Sequence, residues 1–276
     1  MRLERRIHAA AQGRELTPQE QEALSRIHPP RTYPLPSPRH QPYDGAIALL
    51  PLAQLYTRDV PDLRAPAGTD LLQVLWCPFD HPPKEYMPRT VLFWRSAAEV
   101  TDILTAPPEP LAVQRAVYLP QPCLLVPEQV TEYPNPVELG QELRSLIANW
   151  SREEAARDTV DRPCESYPSE FYTSNLSTAP GWKVGGWASW CLTDPSPQRC
   201  PACDTAMNPL LTIATSEWDS SNHSWIPYEQ QQSTAPTRAG SPRQSAPIAI
   251  LIGRGYQQQL YVCPVSPEHP HSELMQ

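Results

Sequence analysis

Apolar positions in this chain come in short runs cut by proline, glycine or aspartate, and the period of each run predicts an element. From residue 45 onward, Ala46 to Leu55, Asp70 to Cys77 and Thr90 to Trp94 read as strands. Leu71 to Cys77 is so continuously apolar that it predicts a strand covered on both faces. Ser96 to Leu104, with Ser96 as N-cap and Glu99 three residues on, predicts a short helix, and Val113 to Leu119 and Cys123 to Val126 are further strand candidates. Asn135 to Arg157 carries Pro136 at its first position and an apolar stripe of Leu139, Leu143, Leu146, Ile147 and Trp150, which predicts one long helix. Asp158 to Tyr172 reads as a polar loop. A second strand-rich stretch, Leu176 to Pro264, is interrupted by the low-complexity segment Tyr228 to Ala246. Ahead of all this, Leu3 to Gln12 predicts a short helix. Thr17-Pro18-Gln19-Glu20 is a capping box that starts a second one ending near Ile27. Pro29, Pro30, Pro34, Pro36 and Pro38 then enforce an extended linker.

The two strand-rich stretches echo one another. Pro51-Leu52-Ala53-Gln54-Leu55 is matched by Pro209-Leu210-Leu211-Thr212-Ile213. Leu72 to Pro78 with His81-Pro82 is matched by Leu260-Tyr261-Val262-Cys263-Pro264 with His269-Pro270. The common order, an apolar strand, a variable loop, a strand ending Cys-Pro and then His-Pro, is the signature of an internal duplication. The expected architecture is a β-rich α+β fold made of two similar β-sheet halves, residues 41–130 and 176–271. One long helix over 135–157 joins them, and residues 1–40 form a helical extension and proline-rich linker.

Composition sharpens this in three ways. The 36 prolines against 10 glycines in 276 residues keep helices and strands short, because proline removes a backbone donor and fixes φ. A net charge of -8, with no basic block beyond Arg2 to Arg6, which also include an acid, argues against nucleic acid as a partner, since tracking phosphates needs clustered cations. No run approaches the ~20 apolar residues of a membrane span, and the first residues lack the apolar region of a secretory signal; the expectation is a cytoplasmic protein with no membrane partner. Seven cysteines at irregular spacing do not form a secreted disulfide framework, so they are reduced thiols or metal ligands.

The sharpest local motif is Cys200-Pro201-Ala202-Cys203. A two-residue gap lets two thiolates face one tetrahedral ion from a tight turn, which makes Zn2+ the candidate cofactor. Cys263 and His269, after the last strand of the same half, are the candidates to complete the ligand set, with Cys77 and His81 as the corresponding pair in the first half. A redox dithiol or inert turn thiols are the alternatives; a redox pair needs a helix N-terminus, whereas Asp204 to Pro209 leads into a strand. Trp187, Trp190, Trp218 and Trp225 crowd one region, either as the lining of a protein-binding groove or as core packing. Gly-x-Ser-x-Gly and His-Glu-x-x-His are absent, the histidines are dispersed, and Glu217 and Asp219 flank Trp218 without a partner base.

Gly181-Trp182-Lys183-Val184-Gly185-Gly186-Trp187-Ala188-Ser189-Trp190, then Cys200 to Cys203 with Met207, then Leu210 to Ile213 and Leu260 to Pro264, resembles the YwqG-like family of bacterial domains of unknown function, in its actinobacterial form. That family is distantly similar to the programmed-cell-death protein 2 group, the superfamily called TYPP. The resemblance spans about Tyr43 to His271. It implies a β-rich domain of two similar halves that acts by protein contact, chaperone-like in its eukaryotic relatives. The chain departs from the family pattern at Ala188, where proline is usual, and at Asp204, where glycine is usual. The expectation is a non-catalytic protein-interaction or chaperone-like module with a protein partner; the alternative is a thiol- or zinc-dependent enzyme centred on Cys200, Cys203 and Cys263.

Overall fold

The computed structural model describes residues 7, 10, 14, 16–27, 45–81, 85–157, 167–218, 223–227 and 245–276. The linker over 28–40, most of the 158–172 loop and of the 228–246 segment, most of the first predicted helix, Cys164 and Asp219 lie outside the described residues. The chain is a β-rich α+β protein with a three-stranded and a four-stranded sheet and few helices. It divides into two compact units: Met1–Val126 with Pro247–Gly255, and Pro127–Ala246 with Tyr256–Gln276.

The capping box forms as its sequence dictates. Helix α1 (Pro18–Ile27) begins with Thr17 N–H donating to Glu20 Oε2 at 2.8 Å and Glu20 N–H donating to Thr17 Oγ1 at 3.4 Å. Arg14 also forks onto the Glu20 carboxylate, at 2.8 and 2.6 Å, and this guanidinium is the main reason that the carboxyl is held down at about 2.

In the first unit, β1 (Leu50–Tyr56), β2 (Leu71–His81) and β3 (Glu85–Arg95) form an antiparallel meander. Strand β2 is not covered on both faces as its apolar run predicts. Leu72, Val74 and Trp76 are fully buried while Gln73, Leu75 and Cys77 between them are half-buried, because Gln73 belongs to a polar ladder with Gln54 and Arg95 on the outer face. The predicted strand over 113–119 is instead an irregular segment with a 3₁₀ turn at Ala116–Tyr118, fastened to β2 by side chains. Tyr118 O–H donates to Asp80 Oδ1 at 2.6 Å, Gln114 Nε2 donates to Asp80 Oδ2, and the Tyr118 ring meets Trp76 edge-on at 5.9 Å. Residues 123–126 are irregular and exposed. The predicted helix after Ser96 shrinks to a turn at Ala97–Glu99: Ser96 makes no capping bond, and Ala97 N–H is taken by Asp70 Oδ1.

The second unit holds α2 (Gln141–Arg157), α3 (Pro168–Phe171), and the antiparallel sheet of β4 (Lys183–Val184), β5 (Asn208–Ala214), β6 (Gln257–Val262) and β7 (Ser272–Met275). The helix predicted over 135–157 is split. Asn135 Oδ1 accepts from Val137 N–H to cap a 3₁₀ turn at Pro136–Glu138, Leu139 is extended, and α2 starts only after Gly140. Its inward side is also rotated from the predicted stripe: Ile147, Ser151 and Glu154 are half-buried, Ser151 Oγ lies 2.7 Å from Ser169 Oγ of α3, and Leu146 and Trp150 are 58% and 56% exposed. The covered strands are β5 and β6, in which Leu210 to Ala214 and Gln258 to Tyr261 are consecutively buried.

The two meanders share one register. Pro51 pairs with Leu75 and Ala53 with Val74, leaving Leu52 bulged; Pro209 pairs with Tyr261 and Leu211 with Leu260, leaving Leu210 bulged. Cys77 and Cys263 each lie two residues beyond the partner of that proline. Among the described residues no helix is long and apolar enough to cross a membrane.

A candidate metal centre and a buried ion pair in the second unit

Ahead of β5 the chain doubles back in a tight knuckle. Met207 N–H donates to Gln198 O, Arg199 bridges to Ala206, Cys200 N–H donates to Thr205 O, and Asp204 N–H donates to Cys200 O. The turn is completed by Asp204 at φ 56°, a left-handed conformation that glycine adopts freely and aspartate tolerates. Such a turn points both thiols of a Cys-x-x-Cys the same way. Cys263 follows β6 directly, Val265 N–H approaches its sulfur at 3.4 Å, and His269 sits in the turn before β7, its N–H on Ser266 O.

These two loops bring four donors together. Cys203 Sγ lies 3.6 Å from Cys263 Sγ, His269 Nδ1 lies 3.3 Å from Cys263 Sγ and 3.4 Å from Cys200 Sγ, and all four ligand atoms lie within 4.8 Å of one another. A tetrahedral Zn2+ with ordinary bond lengths sets its sulfurs about 3.8 Å apart and a sulfur and a nitrogen about 3.6 Å apart. These three separations fall within about 0.3 Å of that cage. The group could therefore hold a metal ion, with the ring presenting Nδ1 to it.

The surroundings suit thiolates on one side and packing on the other. Cys200 and Cys263 are buried with Met207 and Tyr261, against Leu274, while Cys203 is exposed and His269 half-buried. Burial opposes ionisation of Cys263, but the backbone N–H groups of Ser266 and Val265, together with His269, outweigh it and bring the thiol down to about 6. The Thr205 hydroxyl lowers Cys203, burial raises Cys200, and the contact with Cys263 raises His269.

Compared with protein-family models, curated proteins and solved structures, the chain matches none.

The four tryptophans named from the sequence do not share one environment. Trp187 is 42% exposed, whereas Trp190, Trp218 and Trp225 are half-buried, Trp225 donating from its indole N–H to Ser174 O. An apolar groove of about 250 Å3 lies elsewhere in the unit, between α2 and the 168–176 segment, lined by Trp150, Phe171, Tyr172 and Leu176 among others. Glu217 is half-buried and accepts from Trp182 N–H at 3.1 Å; burial raises its carboxyl. Cys77 is half-buried and its thiol is raised by burial.

Sequence reasoning missed Glu132. Its carboxylate lies beneath the Gly185-Gly186 turn, where it accepts two bonds from Lys183 Nζ at 3.0 and 2.8 Å, one from Ala179 N–H at 2.6 Å and one from Trp187 N–H. Lys183 Nζ also donates to Trp187 O at 2.8 Å. Gly186, at φ 76°, lies so close that a Cβ there would collide with Glu132 Oε1. The Gly-Gly-Trp turn is thus wrapped around an ion pair whose side chains are only 8% and 11% exposed. Burial lowers the Lys183 ammonium and Glu132 resists that fall.

Proposed function

We propose that this protein is a non-catalytic, protein-binding module of the YwqG-like kind, whose second unit is stapled by one Zn2+ on Cys200, Cys203, Cys263 and His269. The observation that carries the metal reading is the convergence of three sulfurs and one imidazole nitrogen within 4.8 Å. Four protein donors fill a tetrahedron and leave no position for a water or substrate, which favours a staple over a zinc-dependent enzyme. The staple ties the knuckle before β5 to the β6–β7 connection, segments about 60 residues apart. Binding to a protein partner is supported by the exposed Trp187 and by the apolar groove beside Trp150 and Phe171. We read the two meanders as copies of one ancestral unit, an interpretation supported by their common register and by the bulge after proline in each.

Elemental analysis and native mass spectrometry of the chain, purified without a metal-binding tag, test the staple. One zinc per chain is expected; a ratio near zero with unchanged thermal stability in chelator removes it. Affinity capture from native lysate, compared with Trp187→Ala and Trp150→Ala proteins of equal stability, tests the binding role. It fails if no protein is captured at a stoichiometric level that either variant reduces.

A further inference from the structure

The four metal-ligand candidates differ in access. Cys203 alone of the four is exposed, whereas Cys200 and Cys263 are buried with Met207 and Tyr261. The sulfur found 3.6 Å from Cys203 belongs to Cys263, across the cluster and distant in sequence. Forming a disulfide requires the sulfurs to close from that separation to about 2.05 Å.

Building on the zinc reading, we propose that Cys203 and Cys263 are a peroxide-sensitive modification site whose oxidation expels the metal. The Cys203 thiolate attacks one oxygen of hydrogen peroxide: an S–O bond forms, the O–O bond breaks, and the departing hydroxide takes a proton to become water. The Cys263 thiolate then attacks Cys203 Sγ. The S–S bond forms, the S–O bond breaks, and a second hydroxide leaves and is protonated. Two thiolates have given up two electrons, and one peroxide has become two waters. The metal is left with Cys200 and His269, half the ligand set that a structural zinc requires, and is released. The adjacent pair Cys200 and Cys203 is the disulfide that spacing alone would favour; the 3.6 Å approach of Cys263 Sγ to Cys203 Sγ assigns the bond differently.

The zinc-bearing full chain is treated with graded hydrogen peroxide. Released zinc is read with a chromogenic chelator, and linked peptides are mapped by mass spectrometry after alkylation of free thiols. The expected result is one disulfide joining Cys203 to Cys263, Cys200 recovered alkylated, and complete loss of zinc in proportion to the bond. Cys203→Ser should show neither change at the same dose. Because that variant weakens the site itself, the mapping of the unaltered chain decides the matter. A Cys200–Cys203 bond, an over-oxidised Cys203 with no crosslink, or a disulfide that leaves zinc in place overturns the proposal while leaving the staple intact. A chain isolated without zinc overturns both.

Discussion

Truncating Glu132 to alanine tests whether the Gly-Gly-Trp turn is organised by a buried charge. The carboxylate accepts from Lys183 Nζ, Ala179 N–H and Trp187 N–H, and both ionic side chains are almost wholly covered. Removing it leaves an uncompensated ammonium with, among the described residues, Trp187 O as its remaining acceptor, and two backbone donors without their carboxylate. Breaking one side of a buried ion pair costs about 3–5 kcal/mol, because the remaining charge keeps its desolvation penalty. Removing both charges, as Glu132→Gln with Lys183→Met, should cost less than Glu132→Ala alone. Urea unfolding of the full chain followed by tryptophan fluorescence gives both numbers. The pH dependence has a definite sign. Without Glu132 the burial of Lys183 is unopposed, so its native pKa falls further below the ordinary 10.5, and the unfolded chain binds the extra proton over that interval. Stability of Glu132→Ala should therefore rise with pH through this window, more steeply than that of the parent chain. A loss under about 1 kcal/mol, the range of an exposed ion pair, would refute the account.

Four further outcomes follow from particular contacts. Chelator should lower the melting temperature of the purified chain, and Cys263→Ser should lower it without any further response to chelator; thermal scans with and without chelator decide. Gly186→Ala should cost at least about 1–2 kcal/mol for its left-handed backbone, with the collision against Glu132 added, as measured by denaturant midpoint. Tyr118→Phe should cost about 1.5–3 kcal/mol by taking a charge-assisted bond from Asp80, and a neutral result in urea titration would show that Gln114 suffices there. Asp204→Gly should gain up to about 1 kcal/mol from the relaxed turn, since the exposed Arg199 contact it loses at 3.4 Å is worth little; a drop in melting temperature would contradict this.

Local chemistry made much of this molecule legible in sequence. The Thr17-Pro18-Gln19-Glu20 box starts its helix, proline-bounded apolar runs become strands, and the repeated Pro-Leu and Cys-Pro segments fall in one register because a period of two and a proline-linked bulge fix pairing locally. The ligand candidates were also readable, since a knuckle needs only a turn and a Cys-x-x-Cys, and the end of β6 offered the next cysteine. Tertiary contacts decided the rest. The helix stripe of Leu143 and Leu146 stayed exposed because α2 packs through Ile147, Ser151 and Glu154. Residues 113–119 gave up strand geometry to the bonds between Asp80, Gln114 and Tyr118. Nothing near Glu132 in sequence announced its partner, because an ion pair made across 51 residues leaves no local period or spacing to read. Sequence named Cys200, Cys203, Cys263 and His269 as candidates, but only the folding of β5 against β6 placed their donor atoms within 4.8 Å, since coordination depends on distances that strand pairing sets.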